Sequence, residues 1–259
     1  MKKVLYIAVS FLTAFLIFVF GAALTGAVAT SEAYIKTAIK NSEYTKKVSI
    51  EIADKMQDIA IPSGLPQDFF DDKIKTDYIN TTIDKCVSAA TKGEEYAYNN
   101  EEIVELVYND ILEYAKEKNI DINEESKGML LETASLSAEF YSNYTYKLFY
   151  KILGIINNVS KLLFIAAGVL FVIIVAICMV LLKKEELSFA LMGGGVMLLV
   201  ATVLMLSSSL FKLSISSAAV VGFINTFLGG VATIIGILGA IFVVLGIVSA
   251  KFILKRLAK

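Results

Sequence analysis

The sequence predicts an all-α, multi-pass membrane protein with four transmembrane helices and an all-helical extracytoplasmic domain inserted between the first and second. The first supporting observation is a set of long apolar runs in a chain that is 56% hydrophobic, compared with about 45–50% in soluble domains. Apolar runs of about 20 residues are typical of bilayer-spanning helices, because a helix satisfies its own backbone hydrogen bonds in lipid. The second is charge segregation: every acidic residue except Glu185 and Glu186 lies between Glu32 and Glu139.

The charges also predict the orientation of the spans. Residues 29–161 hold 23 acidic and 15 basic residues, a net charge of −8, whereas the remainder holds 9 basic and 2 acidic residues, a net of +7. Short Lys/Arg clusters beside spans stay in the cytoplasm, which predicts two cytoplasmic termini and an extracytoplasmic segment 30–160. An acidic polar block also argues against a nucleic-acid partner. The flanking basic residues are Lys2, Lys3, Lys183, Lys184, Lys251, Lys255, Arg256 and Lys259.

The first segment, residues 1–29, is interpreted as a transmembrane anchor or a signal sequence. Ala27, Val28 and Ala29 match the small-residue cleavage pattern of a secretory signal. The apolar core, however, is longer than the roughly 7–15 residues of a signal peptide. We favour an uncleaved anchor and leave cleavage open.

Residues 30–150 predict an acidic, helical, extracytoplasmic domain. The spacing of apolar residues predicts a helix over 49–60 and another that carries Phe70, Ile74, Tyr78 and Cys86 at multiples of four and ends near Gly93. The two prolines of the chain lie in residues 61–66, which predicts a turn. Alternation with a period of two is nearly absent, so strands are not expected.

Two asparagines are predicted to begin the later helices of this domain. Asn99, with Glu102 three residues on, forms a capping pair, and Asn123 precedes acidic residues in a first turn. No proline interrupts residues 123–183, which predicts one long helix, bent near Gly154. The aromatic patch at residues 140–150 suits either a membrane interface or packing within the domain.

The rest of the chain completes the membrane segments. Residues 151–182 hold a juxtamembrane helix and the second span, and residues 183–206 hold a cytoplasmic hairpin and the third span. The hairpin is so short that the second and third spans should be antiparallel neighbours. Residues 207–259 hold the fourth span and a basic cytoplasmic tail.

Small residues in the last two spans mark the candidate helix-packing or interaction site. Gly222, Gly229 and Gly236 recur every seven residues, and Ala232, Gly236 and Ala240 recur every four. Small residues let helix backbones approach closely in lipid. The run 193–195, three glycines, could supply the matching surface. Packing within the chain, homo-oligomerisation and partner docking all remain open.

The composition predicts no catalytic, cofactor-binding or metal site. The chain has no His, and Cys86 and Cys178 fall in a polar and an apolar segment, so both are interpreted as buried apolar residues. Residues 119–123 resemble the beginning of a calcium-binding loop. The rest of the loop pattern is absent, because Glu124 and Leu130 occupy the positions of the required Gly and bidentate Glu. We therefore expect a protein that is not an enzyme.

These observations favour a non-enzymatic integral membrane protein of the cell envelope whose extracytoplasmic domain binds a partner or senses the envelope. The bias towards Lys, Ile and Asn is typical of a low-GC bacterium. The alternative is an accessory or permease-like subunit of a transport complex, since the layout resembles that of FtsX/MacB-type proteins. That resemblance is in layout only and implies an ATPase partner. A hydrolase or transferase that uses carboxylates of the domain is a third hypothesis.

Overall fold

The computed structural model describes residues 2–60, 65–66, 68–71, 73–96, 98–180, 184–207 and 217–257. The chain forms two compact units. The apolar unit comprises residues 1–35, 158–214 and 224–259, and the polar unit comprises residues 36–157 and 215–223. The regular elements in the described residues are all helical: α1 (Lys2–Ala29), α2 (Glu32–Asn41), α3 (Tyr44–Ala60), α4 (Thr76–Lys92), α5 (Asn100–Glu117), α6 (Glu124–Ser142), a π-helical segment (Asn143–Lys147), α7 (Leu148–Val180), α8 (Lys184–Ser207) and α9 (Ala218–Leu257).

Four of these helices are long and apolar enough to cross a membrane, as the apolar runs predict. Their mean hydropathies lie between 2.3 and 3.2, which is high because few charges interrupt them. Membrane association and a multi-pass, all-helical architecture follow from these helices. The candidate spans are Val4–Ala29, Lys161–Val180, Glu186–Ser207 and Ala218–Lys251.

Helix α1 contacts two other helices of the apolar unit. Along α8 the contacts run in the same chain direction, from Ala14 against Gly193 to Gly21 against Leu198. Along α7 they run in the opposite direction: the Phe20 ring lies 6.0 Å from the Phe171 ring, and Gly26 faces Leu163. Helix α1 is therefore parallel to α8 and antiparallel to α7.

Helix α9 runs antiparallel to α8, because Gly239 lies against Gly195 while Gly246, further along α9, lies against the earlier residue Met192. The starts of α1 and α8 and the ends of α7 and α9 consequently share one end of the apolar unit. The predicted opposite directions of the second and third spans agree with these contacts. That these two spans are direct neighbours stays a prediction.

The polar unit has a core of large side chains on amphipathic helices. Helix α3 packs on α4 and α6, and α5 packs on α6. The buried residues recur every three or four positions, the helical period that the sequence shows. The core residues include Tyr44, Val48, Ile52 and Met56 of α3, Ile79, Ile83, Cys86 and Val87 of α4, Ile103, Val107 and Ile111 of α5, and Ala134, Ala138 and Tyr141 of α6.

Gly93, Asn99 and Asn123 lie at the helix ends that the sequence predicts, and the pairing of Asn99 with Glu102 stays a prediction. The Asn99 side chain accepts a hydrogen bond from the Glu101 N–H at 3.1 Å, and that of Asn123 accepts one from the Ser126 N–H at 2.8 Å. Helix α4 ends at Gly93, whose φ of 76° is left-handed and suits glycine. The caps therefore explain where α4 ends and where α5 and α6 begin.

The prediction that Phe70 and Ile74 belong to the helix of Cys86 is wrong, because α4 begins only at Thr76. The Phe69 N–H donates to the Pro66 carbonyl and the Lys73 N–H to that of Phe70, forming successive turns. These turns bury both phenylalanine rings, which lie 4.8 Å apart. The predicted proline turn at residues 61–66 lies mostly outside the described residues.

The predicted unbroken helix is confirmed, with one difference in its hydrogen-bond register. Helical structure continues from α6 into α7, but residues Asn143–Lys147 form a π-helical segment. Such segments hold one extra residue per turn and are frequent at functional sites. Gly154 lies within α7, and a bend there stays a prediction.

Candidate functional site

Of the five predicted seam residues, Gly236 lies where α9 packs on α8, because an added Cβ there would lie 3.2 Å from the Thr202 side chain. Ala232, one helical turn earlier, is fully buried. The other three differ from these two. A Cβ at Gly229 would meet nothing within 4 Å, a Cβ at Gly222 would lie 3.0 Å from the Lys47 ammonium nitrogen in the polar unit, and Ala240 is exposed.

Sequence reasoning missed the tightest points of this seam. A Cβ at Gly239 would lie 2.9 Å from the Gly195 carbonyl oxygen, and Gly246 is packed against Met192. The Ser188 hydroxyl adds a hydrogen bond to the Gly246 carbonyl at 2.7 Å. The signal was present, because Ala232, Gly239 and Gly246 also recur every seven residues, a period typical of left-handed helix pairs.

The three consecutive glycines of α8 serve two different helices. Gly193 and Gly194 face α1, where an added Cβ on Gly194 would lie 2.6 Å from Ile17 and 2.9 Å from the Ala14 carbonyl oxygen. Gly195 points the other way, and its Cβ would lie 2.7 Å from the Gly239 carbonyl oxygen of α9. Consecutive residues diverge by about 100° around a helix. The run therefore lets α8 approach α1 and α9 at one level.

The polar unit carries a shallow groove of about 380 Å³ beside the end of α4. Three carboxylates and one ammonium group line it, giving it a net negative charge. The Asp84 carboxylate is paired with Lys36 at 3.6 Å, whereas Glu94 and Glu95 are exposed. The lining residues are Asp84, Lys85, Ser88, Ala89, Glu94, Glu95 and Tyr96.

A tyrosine cluster supports one wall of this groove. The Tyr146 ring contacts two others. The Tyr96 ring lies edge-on to it at 5.8 Å, and the Tyr98 ring stacks on the Tyr146 ring at 5.3 Å. Burial raises the pKa of Tyr96 and of Tyr98, so both hydroxyls stay neutral at physiological pH. Because Tyr146 belongs to the π-helical segment, the groove wall is tied to the junction between α6 and α7.

Two rings of the aromatic patch at residues 140–150 are packed inside the polar unit, whereas Phe140, Tyr144 and Tyr146 are half-buried. Tyr141 and Phe149 are both about 1% exposed. The Tyr141 hydroxyl accepts a hydrogen bond from the Lys75 N–H at 2.9 Å. For these rings the packing alternative is correct and the membrane-interface alternative is not, because their surfaces are covered by other side chains.

The two cysteines are free thiols. Cys86 is buried, and its desolvation raises its pKa to about 12, which makes the thiol a poor nucleophile. Within the described ranges, no group of three or more Cys, Asp and Glu side chains is placed to hold a metal ion. In the calcium-like segment, Asn123 instead caps α6.

No protein-family model matches this chain, and no curated protein or solved structure is significantly similar to it. Functional inference therefore depends on the residues and contacts described above.

Proposed function

We propose that this chain is a non-enzymatic integral membrane protein of the cell envelope whose extracytoplasmic helical domain binds a partner or senses the envelope. The observation that carries the proposal is the division of one chain into an apolar unit with four candidate spans and an acidic polar unit of amphipathic helices. The first suits lipid, and the second suits water. We therefore expect the polar unit to provide the surface for recognition.

The helix directions support this orientation. The starts of α1 and α8 and the ends of α7 and α9 share one end of the apolar unit, and in the sequence the flanking Lys and Arg residues lie at or beside these helix ends. Basic clusters favour the cytoplasm. Both termini are then cytoplasmic, and residues 30–160 are outside.

The packing of α1 supports an uncleaved anchor over a removed signal sequence. Thr25 and Ala29 are buried, and the helix continues through the candidate cleavage site to Ala29. Removal of α1 would also leave Gly193 and Gly194 of α8 without the helix that they face. The mass of the mature protein tests this point: retention gives 28.2 kDa.

The groove beside α4 is the best candidate for the partner-binding surface. Glu94 and Glu95 are exposed carboxylates, and Tyr96 offers an aromatic ring beside them. Carboxylates attract cations, and a tyrosine face adds cation–π attraction. We therefore expect a partner that presents Lys or Arg side chains.

Site-specific photo-cross-linking in intact cells tests the proposal. A photoreactive residue at Glu95 should give a discrete adduct with a partner, and one at Glu113 of α5, equally exposed, should not. Replacing both Glu94 and Glu95 with Gln should reduce the adduct formed from a photoreactive residue at Ser88. Equal adducts from Glu95 and Glu113, or none from either, would contradict a docking role for the groove.

The permease-like alternative draws support from one observation, the order along the chain of one candidate span, a polar unit and three further candidate spans. It requires a cytoplasmic ATPase. Purification of the intact protein in mild detergent distinguishes the two proposals, because an ATPase that co-purifies in stoichiometric amount would favour the transport subunit.

A further inference from the structure

Helix α3 carries three polar side chains on one face that contact other elements of the polar unit. Tyr44, Lys47 and Glu51 are spaced by three and four residues, so they lie in line along the helix. Their contacts include the Ser42 carbonyl, the π-helical segment, the start of α7 and the first six residues of α9. We call these three residues the α3 latch.

Glu51 holds the beginning of α9. The Ala219 N–H donates to Glu51 Oε1 at 2.8 Å, and the Val220 N–H donates to the Ser217 hydroxyl at 3.1 Å. The first N–H groups of a helix lack partners within it and favour a negative charge. One of these groups is therefore satisfied by the helix's own cap and another by a carboxylate 168 residues away in sequence.

Tyr44 joins α3 to the π-helical segment and to two further helices. It is fully buried, and its hydroxyl donates to the Tyr144 carbonyl at 2.9 Å. Its ring lies edge-on to Phe149 at 5.0 Å and to Phe223 at 6.0 Å. One side chain thus contacts the first turn of α7 and the second turn of α9.

Lys47 and Glu51 do not neutralise each other directly. The Lys47 ammonium group donates to the Ser42 carbonyl at 2.7 Å and lies beside Gly222, where α9 has no side chain. Glu51 Oε2 is buried and has no hydrogen-bond partner among the described residues. A buried carboxylate oxygen without a donor is costly, so this contact is the weakest point of the latch.

We propose that the α3 latch is a conformational switch: it holds the first turn of α9 against α3, and release of Glu51 frees that turn while the rest of the polar unit stays folded. Release exposes Oε2 to water, which offsets part of the lost hydrogen bond. The inference rests on these contacts alone and is independent of the proposed function.

Thiol labelling of the purified full chain tests the switch. Ala219 is fully buried, so Ala219→Cys places a protected thiol beside the contact and keeps its N–H. The background carries Cys178→Ala, and the native Cys86 thiol, buried in the core, reports unfolding of the whole unit. The labelled sites are separated by peptide mass spectrometry.

We expect Glu51→Ala to increase the labelling rate at position 219 about tenfold, the scale expected for a lost charge-assisted hydrogen bond. Cys86 should stay protected. The matched control is Asp54→Ala, which removes an exposed carboxylate of the same helix. Equal rates in the two variants would overturn the proposal, and so would joint exposure of position 219 and Cys86.

Glu51→Gln provides a second route if Glu51→Ala does not accumulate. It keeps the size of the side chain and removes the negative charge that favours the first N–H groups of α9. We expect faster labelling at position 219 than in Asp54→Ala, with Cys86 protected. A rate equal to that of the control would overturn the proposal.

Discussion

The two units of this chain pack their helices by opposite means. In the apolar unit the closest helix contacts lie where side chains are missing, at the glycines of α8 and α9. In the polar unit they lie where side chains are large, at buried residues such as Tyr44, Tyr141 and Phe149. Lipid gives helices no hydrophobic reason to associate, so backbone proximity takes that role. In water, burial of apolar area supplies the driving force.

The exposure of large apolar side chains also differs between the two units. Phe164 and Met179 of α7 are 70% and 81% exposed, as suits side chains that face lipid. Met56 of α3 and Ile79 of α4, by contrast, are less than 2% exposed. The same helical period therefore accompanies two kinds of helix packing in this chain. Substitutions should have different effects on stability in the two units.

The largest effect is expected from Ile52→Ala in the polar unit. Ile52 is fully buried, and truncation of such a residue typically costs about 2–5 kcal/mol. Tyrosine near-UV circular dichroism should report the loss, because 10 of the 12 tyrosines lie in this unit. Ile50→Ala, at a position that is 54% exposed, is the control. A similar loss in both variants would refute the assigned core.

High pH should destabilise the polar unit through Tyr141. Burial raises the pKa of Tyr141 from 10.0 to about 12, so the folded state keeps a proton that the unfolded chain loses. The contribution is complete below about pH 10 and is lost as pH rises towards 12, with a total of about 2–3 kcal/mol. Unfolding measured from pH 8 to 12 should show this decline, and Tyr141→Phe should flatten it. An unchanged slope in that variant would assign the decline to other groups.

In the apolar unit, a side chain enlarged at the contact between α8 and α9 should destabilise more than one enlarged at an exposed position. Gly195→Leu would force atoms against the Gly239 carbonyl, and overpacking typically costs about 1–3 kcal/mol. Gly236→Leu should cost less, because it meets the movable Thr202 side chain. Val203→Leu, at a position that is 63% exposed, and Val244→Leu should change little. The fraction of each variant that stays monodisperse after heating in detergent measures this ranking of stabilities. Equal fractions for all four variants would rule out a close contact between α8 and α9 at these glycines.

The smallest effect concerns a helix cap of the polar unit. Asn123→Ala removes the acceptor for the Ser126 N–H and should cost about 1 kcal/mol. Asn109→Ala, exposed within α5, should be neutral or slightly stabilising, since alanine favours helix interiors. Chemical denaturation followed by tyrosine circular dichroism distinguishes the two. A neutral Asn123→Ala would show that the cap does not limit stability.

Sequence reasoning found what local chemistry determines. The apolar runs gave the four candidate spans, and Gly93, Asn99 and Asn123 marked helix ends. It failed at Phe70, which an i+4 pattern assigns to a helix and whose ring is instead buried by successive turns. Spacing alone also left open which small residues of α9 face α8, because two series fit a seven-residue period. One contains Gly229 and Gly236, and the other contains Gly239 and Gly246. The groove and the α3 latch depend on distant contacts, such as Glu51 with Ala219, that no local pattern contains.

The most direct test of the membrane arrangement is labelling of single introduced thiols in intact cells with a membrane-impermeant reagent. Glu113→Cys lies on the exposed face of α5, and Lys251→Cys lies near the end of α9. Both carry Cys178→Ala, and the buried Cys86 thiol, whose pKa is about 12, leaves the parent unlabelled. If the polar unit is extracytoplasmic, Glu113→Cys is labelled in intact cells and Lys251→Cys only after permeabilisation. Protection of Glu113→Cys, or labelling of both positions in intact cells, would contradict the proposed topology.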